Sequence, residues 1–343
     1  MKDIIKWGII GLGNVAHEFA KSFYNIKNAK LIAIASKTQN KLLKFKDKFN
    51  IHSNNCYDDY TKLLKNDEID IVYIALTNNL HSEWIYKSIE ANKHILVEKP
   101  AFVNSNDAKK ILSHPNFKNF FLGEGFMYRY HPQILKTVEL IKDNEIGKII
   151  SMESKFGIDL ITKKRLFGFY KTKKLDTKKR IFNKSLGGGV ILDQGSYVVS
   201  MSLFVASLID GINVQNFKLS TNYKKKIMEG IDVESSIELN FDNKFKSNLE
   251  VSFLNDIGNK TTINGEKGKI IIENTWKSEA GKIYIKNHKT NMIEIKNEKD
   301  IYSLEIGRVS DDILNNKFEA SYPGTKKNEI LISSQILDKW ANE

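Results

Sequence analysis

One cysteine, Cys56, stands in 343 residues. A single thiol allows no disulfide framework and no thiolate metal site. Free cysteine is among the most buried residue types, so Cys56 is expected to fill a small gap in a core. No stretch is expected to span a bilayer, and the amino terminus reads as a strand pattern rather than a charged-then-apolar leader. These features lead to the expectation of a cytoplasmic chain with no membrane partner. Internal repeats and low-complexity linkers are absent. So are an arginine-rich arm, a zinc-finger spacing and an aromatic–basic RNA motif. The formal net charge of +12, from 53 Lys and Arg against 41 Asp and Glu, therefore reads as a lysine-rich solvated surface rather than a nucleic-acid face.

The length suits two domains. Residues 4–10 form an apolar run that reads as a buried first strand. Gly11-Leu12-Gly13-Asn14-Val15-Ala16 follows at once, and Ala16, Phe19, Ala20 and Phe23 then take the spacing of an amphipathic helix. Strand, glycine turn and helix together are the setting in which G-x-G-x-x-A binds a dinucleotide. Gly11 permits the tight turn, Gly13 lets a pyrophosphate approach the backbone, and Ala16 allows close helix–strand packing. The free N–H groups at Asn14 and Val15 face the anion. A second strand, residues 29–35, ends in Ser36-Lys37-Thr38. An NAD site usually carries an Asp or Glu there for the ribose hydroxyls. A cation flanked by two hydroxyls instead suits a 2′-phosphate, so NADP is expected, with NAD possible.

Helices over residues 40–49, 58–64, 82–91 and 106–112 alternate with strands over 69–75, 95–97 and 117–122, which is the pattern of a doubly wound parallel sheet. The strand 95–97 runs into Glu98-Lys99-Pro100. Ligands bind beyond the carboxyl ends of strands in such sheets, which puts Lys99 where a ligand would sit. Beyond residue 123 the character changes. A helix over 133–142 and strands near 148–156, 214–220, 233–241, 246–253, 260–263, 269–273, 282–285 and 292–296 lie close together, with hairpin-like gaps such as Asn264-Gly265. Two helices, 303–316 and 327–342, close the chain. The fold class is thus α/β plus α+β: residues 1–123 as a dinucleotide-binding domain, and residues 124–343 as a substrate-binding and oligomerisation domain with a large, mostly antiparallel open sheet. Within the latter, Gly187-Gly188-Gly189 leads into Asp193 and Tyr197, spaced i, i+4 on one helical face.

Four blocks in order carry a resemblance: Gly11 to Ala16, Glu98-Lys99-Pro100, Glu124 through Pro132, and Gly187 through Tyr197. With Arg180-Ile181-Phe182-Asn183, Tyr322-Pro323-Gly324 and Leu337-Asp338-Lys339-Trp340, the chain resembles the Gfo/Idh/MocA oxidoreductases over nearly its whole length. It is most similar to the branch of glucose–fructose oxidoreductase, dihydrodiol dehydrogenases and xylose dehydrogenases. The resemblance implies a Rossmann domain followed by an open-sheet domain, with Lys99, Asp193 and Tyr197 in the active site. It implies that Thr77, Asn79 and His81 line the nicotinamide pocket, and that Glu98 and Lys99 border the cofactor. Tyr128, Arg129, Arg180 and Asp193 are expected to meet the substrate. Asn78 stands where relatives often have Pro, and Gly125 where this branch often has Ala; neither removes a reactive group.

The expected activity is NADP-dependent hydride transfer to or from a sugar-like alcohol or ketone. A free phenol titrates near about 10; the Lys99 cation would help Tyr197 ionise, and Lys99 itself is the alternative proton donor. His81 is expected to pack or hydrogen-bond rather than act as a base. A nucleotide-deoxysugar ketoreductase is the alternative enzyme, for which the basic run 163–179 could meet a diphosphate. A non-catalytic NADP-binding sensor is the alternative of another class, and a homodimer or homotetramer is expected from the open sheet face. No metal is expected.

Overall fold

The computed structural model describes residues 3–164, 170–173, 175–227, 230–276, 281–296 and 300–343. In chain order the first elements are β1 (Ile5–Ile10), α1 (Asn14–Lys21), β2 (Ala29–Ala35), α2 (Gln39–Phe49), β3 (Cys56–Tyr57), α3 (Tyr60–Leu64), β4 (Ile71–Ile74), α4 (His81–Glu90), β5 (His94–Glu98), α5 (Ser105–Leu112) and β6 (Leu122–Gly125). The six strands form a parallel sheet in the order β3-β2-β1-β4-β5-β6. The order reverses between β1 and β4, which is where a doubly wound sheet opens a crevice at its carboxyl edge.

Alternation along the strands gives this sheet two cores. Trp7, Ile9, Ile71, Tyr73 and Leu96 face one side, and Ile10, Val72, Ile74, Ile95 and Val97 face the other. The edge strand β3 escapes the sequence pattern because it is two residues long, and it leaves Cys56 half-buried instead of enclosed. The strand expected over 117–122 begins only at Leu122. Pro115 opens a 3-10 turn, Pro115–Asn119, capped by the His114 ring, and that turn takes up the preceding residues.

The remaining elements are α6 (Pro132–Lys142), β7 (Ile149–Gly157), β8 (Thr162–Lys164), β9 (Tyr170–Thr172), α7 (Ser196–Ala206), β10 (Phe217–Ile227), β11 (Ile231–Phe241), β12 (Phe245–Ser252), β13 (Asn259–Gly265), β14 (Gly268–Glu273), β15 (Gly281–Lys286), β16 (Thr290–Ile295), α8 (Ile301–Leu314) and α9 (Lys327–Asn342). Eight of the strands form one sheet, β10-β11-β12-β7-β13-β14-β15-β16, antiparallel except between β12 and β7. Asn264 and Gly265 lie in β13 itself; the turn is Glu266-Lys267, closed by the Gly265–Gly268 pair. Helix α7 is buried along its whole length, and Ser202 Oγ donates to Ser247 Oγ of β12 at 2.7 Å.

The chain divides into two compact units, but not at residue 123. The first holds residues 1–131 and 298–331, the second 132–297 and 332–343. Helix α8 explains the correction. Its Ile306, Val309 and Ile313 belong to the core on the Trp7 side of the parallel sheet, and Trp7 Nε1 donates to Ser310 Oγ at 3.0 Å. An apolar stripe at i, i+3, i+7 can be recognised in sequence, but the surface it covers cannot.

Candidate active site

In the first unit the glycine turn leaves β1 at the reversal point of the sheet. Gly11 has φ +90°, and a Cβ there would lie 2.5 Å from the carbonyl oxygen of Ala75. Only glycine fits. Gly13 is different: its φ is ordinary, it caps α1 without a side chain, and a Cβ would meet nothing within 4 Å. The space over Gly13 is therefore open to a ligand. Asn14 and Val15 are exposed in the first turn of α1 while Ala16 is buried beneath it. This is a fit for a pyrophosphate: backbone N–H groups at a helix start, with no side chain in the way.

Beside it, Gly11 N–H donates to Ala35 O at 3.0 Å, so the end of β2 borders the turn. Ser36 is buried and its Oγ accepts from Thr38 N–H, while Lys37 is exposed with its Nζ 5.5 Å from the centre of the Tyr60 ring. A cation held over an aromatic face is pre-positioned without being neutralised.

Past β4, Thr77 caps a 3-10 turn, Asn78–Leu80, in which Asn78 is buried and Asn79 exposed. His81 is fully buried. Its Nδ1 lies 2.8 Å from Pro100 O and its Nε2 3.2 Å from Leu76 O. The imidazole ties the loop after β4 to the loop after β5, so of the three residues expected to line the nicotinamide pocket, His81 is the one placed behind the surface.

Glu98 and Lys99 are half-buried at the carboxyl end of β5. The Tyr73 hydroxyl donates to the Glu98 carboxylate from β4, and burial with that carboxylate alongside drives the Tyr73 pKa well up. Ala101 N–H, two residues beyond Lys99, donates to Glu124 Oε1 at 2.8 Å. In sequence, Glu124 is marked only by being a lone carboxylate in the otherwise apolar β6.

Tyr128 and Arg129 correct an expectation. Both are buried, and Arg129 forms a two-pronged ion pair with Glu329 of α9. A guanidinium enclosed and already matched to a carboxylate has no face left for a substrate.

In the second unit, residues 191–195 form one turn of π-helix ahead of α7. Asp193 thus sits in a π-turn and Tyr197 in the first α-turn, instead of both on one regular helix. Such turns re-aim side chains and recur at functional sites. Asp193 accepts from Arg180 Nη2 at 2.6 Å, with both side chains partly exposed. The Tyr197 ring packs edge-on against Phe156 (5.4 Å between centroids) and lies 5.7 Å from Trp276, while Phe156 and Trp276 stack at 5.9 Å. Tyr197 and Trp276 are buried and Phe156 is half-buried, so the phenol is fixed in an aromatic cluster, and the partly exposed Arg180–Asp193 pair, four residues before it on the chain, can hold hydroxyl groups while the phenol exchanges a proton. The centre of the basic run 163–179 lies outside the described residues. Among the described residues, no group of acids, histidines and cysteines is placed to hold a metal.

Residues 5–124 match the model described as "Oxidoreductase family, NAD-binding Rossmann fold", and residues 134–271 match the GFO/IDH/MocA C-terminal domain. The chain is 24% identical, over 80% of its length and 76% of the relative's, to dTDP-3,4-didehydro-2,6-dideoxy-alpha-D-glucose 3-reductase of Saccharopolyspora spinosa. It is 27% identical, over 72% of its length and 69% of the relative's, to D-xylose 1-dehydrogenase (NADP(+)) 2 of Haloferax volcanii. Its fold is similar to that of the aldose-aldose oxidoreductase of Caulobacter crescentus in complex with glycerol, with TM-score 0.84, 18% identity and coverage of 99% and 97% of the two chains. Both domain models, the glycine turn and the open space over Gly13 thus lead to one conclusion: the chain belongs to the Gfo/Idh/MocA family of oxidoreductases and takes a nicotinamide dinucleotide as cofactor.

Proposed function

We propose that this oxidoreductase works with NADP(H) on a sugar or sugar-like alcohol or ketone, with Tyr197 moving the proton at the reacting oxygen. The bound nicotinamide would supply or accept the hydride. Gly11 makes the tight turn, Gly13 leaves room for the pyrophosphate, Asn14 and Val15 present N–H groups to it, and Ser36 and Lys37 take the ribose 2′-phosphate. Thr77 and Asn79 border the nicotinamide, with His81 fixing the loop that carries them. Glu98 and Lys99 stand at the same carboxyl edge of the sheet. The observation that carries the substrate reading is the setting of Tyr197. Half-buried Phe156 offers apolar surface beside the phenol, Trp276 backs both rings from the core, Arg180 and Asp193 offer a donor and an acceptor, and a sugar ring has both an apolar face and a rim of hydroxyls.

Lys99 is the second candidate for the proton step: acting on the same oxygen, its cation would favour the ionised phenol. The test is a screen of aldoses, cyclic diols and nucleotide ketosugars followed by NADPH absorbance. With the best substrate, Tyr197→Phe should lower turnover by about a hundredfold or more while leaving NADPH affinity unchanged. Adding Lys99→Met should cost far less than the product of the two single effects. A Tyr197→Phe enzyme with wild-type turnover removes Tyr197 from the reaction and leaves Lys99 as donor. A homodimer or homotetramer formed through the outer face of the eight-stranded sheet belongs to the same reading, and light scattering of the eluting protein measures it.

A further inference from the structure

We propose that Glu124 is a positioning residue for Lys99: from β6, its buried carboxyl fixes the loop Lys99-Pro100-Ala101 through the Ala101 N–H. The inference rests on Lys99 being part of the reaction and adds a residue that touches neither substrate nor cofactor.

The geometry is local and complete within the first unit. Strands β5 and β6 run parallel with Val97 opposite Glu124 and Glu98 opposite Gly125. The side chain of Glu124 is 4% exposed, and its Oε1 accepts from Ala101 N–H at 2.8 Å. Pro100, between Lys99 and Ala101, has no N–H to offer, so the Ala101 amide is the first backbone donor past Lys99 that can anchor the loop. From the other side, His81 Nδ1 lies 2.8 Å from Pro100 O. The Lys99 backbone is therefore clamped at both of the following residues.

Glu124 Oε2 is buried and has no hydrogen-bond partner. A carboxyl used only as a brace could have been an amide or a hydroxyl; one enclosed with an unmatched oxygen is costly when charged. The charged and titratable groups around it are Arg129, Glu329 and Glu98, with Lys99 on the loop it holds and His81 against that loop from the start of α4. Arg129 is already paired with Glu329, and Glu98 adds negative charge. Burial dominates and pushes the Glu124 carboxyl up to about 7. A carboxylate grips an N–H more firmly than a neutral acid, since a charge-assisted bond is roughly twice as strong. The clamp should thus tighten as pH rises through about 7.

Two variants and two readouts test this. Glu124→Gln keeps an acceptor for Ala101 but cannot ionise. Glu124→Leu removes the acceptor. Hydrogen-exchange mass spectrometry of the peptide carrying Ala101 reports the clamp directly, in the whole protein and without substrate. Steady-state kinetics report its effect on the reaction. Glu124→Leu should speed exchange at Ala101 by about tenfold or more and lower kcat by a similar factor, with the sugar KM moving less than about threefold. Glu124→Gln should stay within about threefold of wild type at pH 6, and the ratio of wild-type to variant kcat should grow by about threefold to tenfold as pH passes through neutrality. A folded Glu124→Leu protein with wild-type exchange and kcat overturns the proposal. So does a Glu124→Gln protein whose pH dependence of exchange and kcat matches wild type. If Glu124→Leu does not fold, the Glu124→Gln profile decides alone. If no sugar is turned over, the exchange data still decide, and the failure then belongs to the substrate reading.

Discussion

Two glycines two residues apart should respond to the same substitution in opposite ways. Gly11→Ala places a methyl group at φ +90° and 2.5 Å from the Ala75 carbonyl oxygen. The left-handed backbone costs about 1–3 kcal/mol for a residue with a Cβ, and forcing β4's exit loop to move adds about 1–3 kcal/mol. The apo protein should therefore lose about 2–6 kcal/mol of stability. Gly13→Ala meets nothing within 4 Å and has an ordinary φ. Lower unfolded-state entropy stabilises it by about 0.4–1 kcal/mol, and the weaker cap at the start of α1 offsets a similar amount. Apo stability should stay within about 1 kcal/mol of wild type. The methyl group then occupies the space the pyrophosphate needs, so the NADPH Kd should rise by at least about tenfold, which is about 1.4 kcal/mol. Urea unfolding of the apo protein and isothermal titration with NADPH separate the two effects. A Gly13→Ala protein that binds NADPH as wild type does, or that unfolds as early as Gly11→Ala, refutes the assignment of the open space to the cofactor.

Wild-type protein should bind NADPH more tightly than NADH, and Lys37→Asp should flatten or reverse that preference; a preference that does not shrink with added salt speaks against a 2′-phosphate ion pair. The Glu124 carboxyl is raised from 4.5 to about 7 by burial, so its contribution to stability is complete below about pH 4.5 and is lost as pH rises through about 7. Between pH 5 and 8 wild type should lose on the order of 3 kcal/mol relative to Glu124→Gln, read by urea unfolding at several pH values; parallel curves contradict it. Glu329→Gln should lower stability by on the order of 3 kcal/mol, because it strands the enclosed Arg129 charge, while leaving the substrate KM unchanged; a KM effect without a stability loss would restore Arg129 to the substrate site.

Sequence alone determined whatever depends on a few neighbouring residues. The glycine turn at Gly11–Ala16, the missing acid after β2, the charged exit of β5 at Lys99 and most strands of the second sheet are local patterns, and each reappears within a residue or two in the structure. Where a local pattern carries two meanings, tertiary structure chose between them. Arg129 reads in sequence as an open cation, yet Glu329, two hundred positions away, encloses and neutralises it. Asp193 and Tyr197 read as one helical face, but Asp193 lies in a π-turn and Tyr197 in the first turn of α7. Helix α8 follows the second sheet in the chain and joins the first sheet in space. Glu124 reads as one letter of a motif until Ala101 is brought to it across the β5–β6 pair. The physical reason is the same each time: hydrogen-bonding period and turn chemistry act over a few residues, whereas charge neutralisation and burial depend on which distant surfaces meet.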